Sequence, residues 1–223
     1  MIPRAHQMNP SDRYDISDLP EAQGEPGSRG RVLRNKLGIK SKREMDEAES
    51  VALKTAIDKL VYMYDDEHRF TVEDIRTMHK VWLGDIYEWA GEYRQVNLSK
   101  GDFHFAAALH VPQLMAELQK VQLHKHTPCN FKSPERVIQA LAEVHVELVL
   151  IHPFREGNGR VARILSTLMA FQAGLPTLNF KDITGERRKN YFDAISSDMN
   201  RDYRPMEKLF KKIISTSEKI SGA

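Results

Sequence analysis

Cysteine is nearly absent from the sequence. Cys129 is the only one in 223 residues, which excludes an internal disulfide and a zinc site made of several cysteines. His124 and His126 lie near it in the chain, but the three residues lack the spacing and carboxylate support of a metal site. A single cysteine is typical of a reducing compartment, so we expect the protein in the cytoplasm.

Long apolar runs and a strong charge imbalance are also missing. No 18 consecutive residues are apolar, as a membrane-spanning helix would require, and residues 1–15 lack the apolar centre of a secretory signal. The formal net charge is +2, which gives no general reason to expect a membrane or a nucleic acid as partner. The basic stretch over 29–43 is compatible with such a contact, but a solvated face is the simpler interpretation.

The sequence does contain 41% hydrophobic residues, which suffices for a core, and most of them recur at helical spacing. Residues 1–40 begin with a stretch rich in Pro, Gly, Ser and Asp, which predicts a partly extended N-terminal arm without its own core. Residues 41–223 are predicted to form one mainly α domain with flanking helices and a core at about 85–215.

Capping residues predict where the first helices begin. Ser41 and Glu44 fit a capping box before a helix that runs to about residue 65. Thr71 begins a second helix, on which Trp82 and Trp89, seven residues apart, would share one buried face.

One segment departs from the helical pattern. Residues 91–106 (GEYRQVNLSKGDFHFA) place apolar residues on both sides of the turn-forming residues 99–102. This is the best hairpin candidate in a helical protein. Taken alone, it is also compatible with an ordinary surface hairpin.

The most informative stretch is residues 152–163, HPFREGNGRVAR. A predicted helix ends near His152, because Pro153 disfavours its continuation. Gly157 and Gly159 allow a sharp turn, after which the helical spacing resumes. The free N–H groups at the start of the second helix would form an anion site.

The side chains of this stretch suit phosphate chemistry. Arg160 and Arg163 share a helix face and would extend the anion site by charge-assisted hydrogen bonds. Glu156 is a candidate ligand for Mg²⁺, since hard cations prefer carboxylate oxygens. His152 is the candidate general base, because an imidazole titrates near neutrality. Each residue alone has an ordinary structural interpretation, but their conjunction favours a functional site.

The stretch resembles the signature of the Fic family, H-x-F-x-[D/E]-G-N-G-R-x-x-R, and every specified position is filled. The resemblance implies a helical bundle with a short β-hairpin flap over the active site. It also implies an enzyme that moves AMP from ATP·Mg²⁺ to a hydroxyl of a target protein and releases pyrophosphate. The related Doc branch, which phosphorylates its target, lacks the glycines found here.

The same resemblance assigns roles to the residues of the stretch. His152 would deprotonate the target hydroxyl, Phe154 would anchor the loop in the core, and Glu156 would bind Mg²⁺. The anion hole for the α- and β-phosphates would consist of Gly157, Asn158 and Gly159. Arg160 would contact the phosphates, and Arg163 would grip the γ-phosphate.

Residues outside the stretch also receive roles from the resemblance. The hairpin would be the flap, which clamps a target segment by strand addition and sets its hydroxyl beside His152. The implied nucleotide contacts are Lys100, Gly101, Asp102 and Phe103 in the flap, and Asn190, Tyr191 and Asp198 in the adenine pocket.

Many Fic proteins carry an inhibitory helix, [S/T]-x-x-x-E-[G/N], whose Glu pairs with the second motif arginine. Here only Glu156 is followed by Gly or Asn. Ser17 and Glu21 have the required spacing, but Pro20 interrupts the helix and Ala22 follows. We therefore expect an open γ-phosphate site and inhibition by a small antitoxin-like partner chain. An inhibitor of divergent sequence within this chain is the alternative.

The predicted function is that of a protein adenylyltransferase, as in the toxins of toxin–antitoxin pairs, with ATP as substrate and Mg²⁺ as cofactor. One alternative is a transferase of UMP or phosphocholine that uses the same anion hole. Another is a non-catalytic nucleotide-binding module. The complete motif disfavours the module, because nucleotide binding alone needs no base. The sequence does not specify the target protein.

Overall fold

The computed structural model describes residues 19–100, 103–183, 191–195 and 202–222. Its helices are α1 (Lys42–Met63), α2 (Val72–Leu83), α3 (Val111–Leu118), α4 (His124–His126), α5 (Pro134–Ile151), α6 (Asn158–Gln172) and α7 (Arg204–Ser221). A π-helical stretch (Gln119–Leu123) joins α3 to α4, and 3-10 turns occur at Pro20–Ala22, Ala108–His110 and Phe180–Ile183. The mainly α fold predicted from the sequence is confirmed.

Helix α5 is the centre of the bundle. Eleven of its residues are buried, and it packs against α3, α6 and α7. The Ser133 side chain caps its first turn, with Pro134 at the first helical position. The helix ends at Ile151, and its C-cap residue His152 has left-handed backbone dihedrals (φ 53°, ψ 58°). The packing of α5 on α6 brings the two ends of the motif together.

Helices α1 and α2 pack on each other, and α2 also packs on α6. Thr71 forms a complete capping box with Asp74 at the start of α2. Ser41 is the N-cap of α1 but makes no side-chain capping hydrogen bond, so the capping box predicted there is absent.

The prediction that Trp82 and Trp89 share one face of a helix is wrong. Helix α2 ends at Leu83, with Gly84 as its C-cap, and Trp89 lies in the turns that follow. Both indoles are nevertheless buried, and Trp89 stacks on Tyr87 at 4.5 Å. The two indoles are therefore buried from different elements, Trp82 from helix α2 and Trp89 from the turns that follow it.

The hairpin predicted in residues 91–106 is present. Strands β1 (Ser99–Lys100) and β2 (Phe103–His104) pair antiparallel, with Ser99 opposite His104. A further hydrogen bond from the Phe105 N–H to the Leu98 carbonyl extends the pairing. Together with their flanks, residues 96–106 are called the flap below.

The N-terminal arm is irregular over residues 19–40, with one isolated bridge between Gly24 and Leu33. Val32 enters the common core, and Glu21 is buried against the base of the flap. The boundary near residue 40 stays a prediction. In the described ranges, no helix has the length and apolarity needed to cross a membrane.

Candidate active site

A cavity of about 710 Å³ lies between the flap, the N-terminus of α6 and the helical residues 191–195. This volume is within the range of small-molecule sites. The motif supplies one wall of it. The other lining residues are Leu98, Ser99, Lys100, Phe103, Phe105, Val149, Tyr191, Phe192 and Ile195. The structure thus brings the motif and the flap to one cavity.

The loop over residues 152–157 is fastened by buried groups. The Asn158 side chain accepts a hydrogen bond from the Phe154 N–H and donates one to the Phe154 carbonyl, both at 2.8 Å. Phe154 is fully buried and stacks on the His79 ring at 4.0 Å. Asn158 therefore shapes the loop with its side chain, and only its main chain remains to face an anion.

His79, which the motif does not include, supports the same loop. Its Nδ1 accepts a hydrogen bond from the Gly91 N–H (2.8 Å), so Nε2 carries the proton and donates to the Glu156 carbonyl (3.1 Å). Burial lowers the pKa of His79 to about 4. The ring is therefore a neutral structural connector between α2 and the loop.

The turn into α6 requires glycine at one position in particular. Gly157 has φ of +83°, and a Cβ there would lie 2.5 Å from the Trp82 ring. A Cβ on Gly159 would meet nothing closer than 4.0 Å. Next to this turn, the first N–H groups of α6, at Asn158 and Gly159, have no acceptor within the helix and suit an anion.

His152 lies at the cavity with one ring nitrogen occupied. Its Nδ1 lies 3.1 Å from the Val149 carbonyl. Because a carbonyl oxygen can only accept a hydrogen bond, Nδ1 carries the proton of the neutral ring. Nε2 is therefore available as a base. The ring stacks on Phe105 of the flap at 3.6 Å. Burial lowers the pKa of His152 to about 4, so the imidazole is neutral at neutral pH.

Arg94 is a functional candidate that the sequence did not reveal. Its guanidinium is buried and donates to the carbonyls of His152 (2.6 Å) and Val96 (2.8 Å), and also to those of Ala106 and Ile151. Burial lowers the pKa of this group. One side chain thus ties both flanks of the flap to the backbone of the candidate base.

Arg160 is held from outside the motif. Its Nη1 lies 2.7 Å from the Glu49 carboxylate of α1, and its Nη2 lies 3.3 Å from Glu156. The guanidinium also lies over the Trp82 ring, 4.5 Å from its centroid. Glu49 was not predicted from the sequence, where nothing distinguishes it from the other acidic residues of α1.

Arg163 has a different environment. It lines the cavity, and burial lowers the pKa of its guanidinium. Within the described part of the chain, no carboxylate forms an ion pair with it. Glu21, whose spacing from Ser17 resembles the inhibitory motif, instead accepts hydrogen bonds from the Gln95 and Val96 N–H groups.

The predicted residues outside the motif are partly described. Lys100 and Phe103 line the cavity, and the Lys100 ammonium lies 4.1 Å from the Phe192 ring centroid across it. Tyr191 also lines the cavity. The remaining predicted residues, which are Gly101, Asp102, Asn190 and Asp198, lie outside the described residues.

The hydroxyl of Tyr191 is used inside the protein. It donates to Nε2 of His145 (2.8 Å), whose Nδ1 donates to the Ser166 hydroxyl (3.0 Å). Ser166 in turn donates to the Ala162 carbonyl. Burial lowers the pKa of His145 to about 3, so His145 is a buried structural histidine, and Tyr191 presents its ring to the cavity.

Among the described residues, few side chains at the cavity could bind a metal ion. No cluster of three or more His, Cys, Asp or Glu residues suited to a metal occurs in the ranges that the structure describes. Glu156, with a half-exposed side chain at the cavity, is the candidate. A single carboxylate fits Mg²⁺, which takes most of its ligands from phosphates and water.

Comparison with known proteins agrees with this geometry. Residues 69–170, just under half of the chain, match the Fic/DOC family. A probable protein adenylyltransferase of Sinorhizobium fredii is 26% identical over 209 residues, covering 91% of this chain and 99% of that protein. The probable protein adenylyltransferase Fic of Escherichia coli is 27% identical, with 82% and 88% covered.

Solved structures share the fold. The N-terminal Fic domain of an effector protein from a Bartonella species has a TM-score of 0.69 at 23% identity, covering 91% of this chain and 95% of that one. The BepC protein of Bartonella tribocorum, with bound AMPPNP, has a TM-score of 0.65 at 23% identity, with 81% and 91% covered.

Proposed function

We propose that this protein is an adenylyltransferase that moves AMP from ATP to a hydroxyl side chain of a target protein and releases pyrophosphate. The observation that carries the proposal is the neutral His152 ring, whose Nε2 is left available at the same cavity as the start of α6 and Arg163, which forms no ion pair among the described residues. The two curated relatives described above carry the name probable protein adenylyltransferase, which supports the proposal.

His152 takes the proton of the attacking hydroxyl. The hydroxyl oxygen bonds to the α-phosphorus, the proton goes to Nε2, and the bond to the bridging oxygen breaks so that pyrophosphate leaves. At neutral pH this base is already neutral, so it needs no prior deprotonation before it takes the proton. The Nδ1–H bond to Val149 stabilises the imidazolium that forms.

Phosphate binding rests on the N-terminus of α6. The N–H groups of Asn158 and Gly159 point to the α- and β-phosphates, and Arg163, whose buried charge has no ion-pair partner in the described ranges, binds the γ-phosphate. Glu156 holds Mg²⁺, which would neutralise the phosphate oxygens when bound. The ring of Tyr191 and the Lys100 and Phe103 side chains enclose the rest of the nucleotide.

The flap serves the second substrate. An extended segment of the target adds to an edge of the hairpin, where main-chain hydrogen bonds position the hydroxyl with little dependence on sequence. A small antitoxin-like chain that inserts a carboxylate at Arg163 would inhibit the enzyme. Such a pair, together with the need for ATP, places the protein in the cytoplasm.

Labelling with ATP carrying a radioactive α-phosphate tests the proposal. Protein incubated with Mg²⁺ and a cell lysate should label a target protein, and His152→Ala should reduce labelling by about 10²–10⁴-fold while still binding ATP. His126→Gln is a matched control, because His126 is also a buried histidine but does not line the cavity. Labelling at the wild-type rate by His152→Ala would contradict the assignment of the base. Labelling from UTP or CDP-choline in place of ATP would replace the proposed donor.

A further inference from the structure

Glu49 lies in α1, outside the residues that match the family, and is fixed from two sides. Its side chain is 1% exposed. The Tyr87 hydroxyl donates to its Oε1 (2.7 Å), and the Trp82 indole N–H donates to its carbonyl (2.9 Å). The carboxylate therefore cannot turn away from its position without leaving buried groups unpaired.

Arg160 lies between this fixed carboxylate and the carboxylate of Glu156, whose Oε1 also accepts a hydrogen bond from the Gly157 N–H (2.9 Å). Its contact to Glu49 is short (2.7 Å), and its contact to Glu156 is long (3.3 Å). The Glu156 side chain is 45% exposed, so it can leave Arg160 at little cost. The other Arg160 contact, with the face of Trp82, keeps the guanidinium plane in place.

We propose that Glu49 is a positioning residue of the nucleotide site, which keeps Arg160 paired so that the Glu156 carboxylate is free to bind Mg²⁺. The inference rests on the proposed function, since it needs Glu156 as the metal ligand. Without Glu49, Arg160 would take Glu156 as its only acidic partner among the described residues and form the stronger, bidentate pair. The metal would then have to displace a guanidinium.

The test measures metal affinity by nucleotide binding and needs no turnover. Calorimetry follows binding of AMPPNP to the full chain across a Mg²⁺ series, and gives the Mg²⁺ concentration for half-maximal binding. Glu49→Gln should raise this midpoint about 10-fold or more, the usual cost of losing a residue that orients a metal ligand. Tyr87→Phe is the matched control, because it removes a hydrogen bond to Glu49 and keeps the carboxylate beside Arg160. It should leave the midpoint unchanged.

The same substitution made in an Arg160→Met protein provides a second test in case the Glu49→Gln protein does not fold. In Arg160→Met protein the guanidinium no longer competes for Glu156, so adding Glu49→Gln should not shift the midpoint further. An unshifted midpoint in folded Glu49→Gln would overturn the inference, as would an equal shift in Tyr87→Phe or a further shift in the Arg160→Met background. Glu156→Gln separates the two proposals. If it leaves the midpoint at the wild-type value, Glu156 is not the metal ligand, and that part of the proposed function fails together with the inference.

Discussion

The His152 ring is packed between Phe105 and the Val149 carbonyl. Burial opposes protonation there, so the pKa falls from the ordinary 6.5 to about 4. The positive charges of Arg94 and Lys100 lower the pKa further, whereas Glu156 raises it. The base is therefore available at pH values where an exposed histidine is already protonated.

The transfer rate should follow this pKa. At constant fold, kcat/KM should stay level as the pH falls through 6.5 and should decline only on approach to about 4, since protonation removes the base. Initial rates on a purified target, with circular dichroism to verify folding at each pH, measure the profile. A decline centred near 6.5 would indicate an exposed ring.

Gly157 and Gly159 should respond very differently to alanine. Gly157→Ala places a methyl group against the Trp82 ring at a positive φ, so it should lower the free energy of unfolding by more than about 1 kcal/mol and weaken nucleotide binding. Gly159→Ala meets open space and should unfold close to the wild type. Urea unfolding measures the stability of both variants, and equal stabilities would contradict this prediction.

At the scale of elements, the loop that carries the chemistry is held by its neighbours. Helix α2 reaches it through His79, and Arg94 ties it to the flap. Helix α1 holds the adjoining start of α6 through the contact of Glu49 with Arg160. The flap and the loop share a single buried guanidinium, so a displacement of one is transmitted to the other. Arg94 thereby links the flap to the backbone of His152.

Replacing Arg94 should loosen the flap. Arg94→Met leaves several buried carbonyls without a donor, at about 1–3 kcal/mol for each group that stays unpaired. Hydrogen exchange should show faster exchange at Phe105 and at residues 94–98, and the transfer rate should fall. Arg34→Met is the control, since the Arg34 guanidinium makes a solvent-exposed hydrogen bond to the Gln23 side chain. Unchanged flap exchange in Arg94→Met would contradict the role.

The sequence predicted those elements whose signals are local. Residues 152–163 carry the site within one continuous stretch, and the hairpin is marked by its turn residues. The supporting residues have no such signal, because Arg94 binds backbone carbonyls and Glu49 meets Arg160 only after α1, α2 and α6 have packed. The prediction for Trp89 was wrong because seven-residue spacing does not reveal that a helix has ended at Leu83.

The whole molecule should be sensitive to mild acid. His79, His145 and His152 are buried, and burial lowers their pKa values to about 4, about 3 and about 4. In the unfolded chain they titrate near 6.5, so below that pH the unfolded state binds protons that the folded state does not. Above a pH of about 6.5 these rings do not affect the free energy of unfolding, and they lower it as the pH falls from 6.5 towards 4.

The expected loss is about 1.36 kcal/mol per ring for each pH unit below 6.5, or about 4 kcal/mol for three rings. That is a large part of the roughly 5–15 kcal/mol typical of a folded domain. Urea unfolding between pH 7.5 and 5.5 measures it. His145→Gln should reduce the slope by about one third, and a stability independent of pH in this interval would rule out buried neutral rings.

Arg163 lines the cavity with a desolvated charge and no carboxylate beside it among the described residues. A polyphosphate that enters supplies the missing counterion. Pyrophosphate carries the same groups after the transfer as ATP did before it, and it keeps this attraction when AMP has left. Release of pyrophosphate, rather than the chemical step, would then limit the rate of turnover. Accumulated pyrophosphate would act as a competitive inhibitor with respect to ATP.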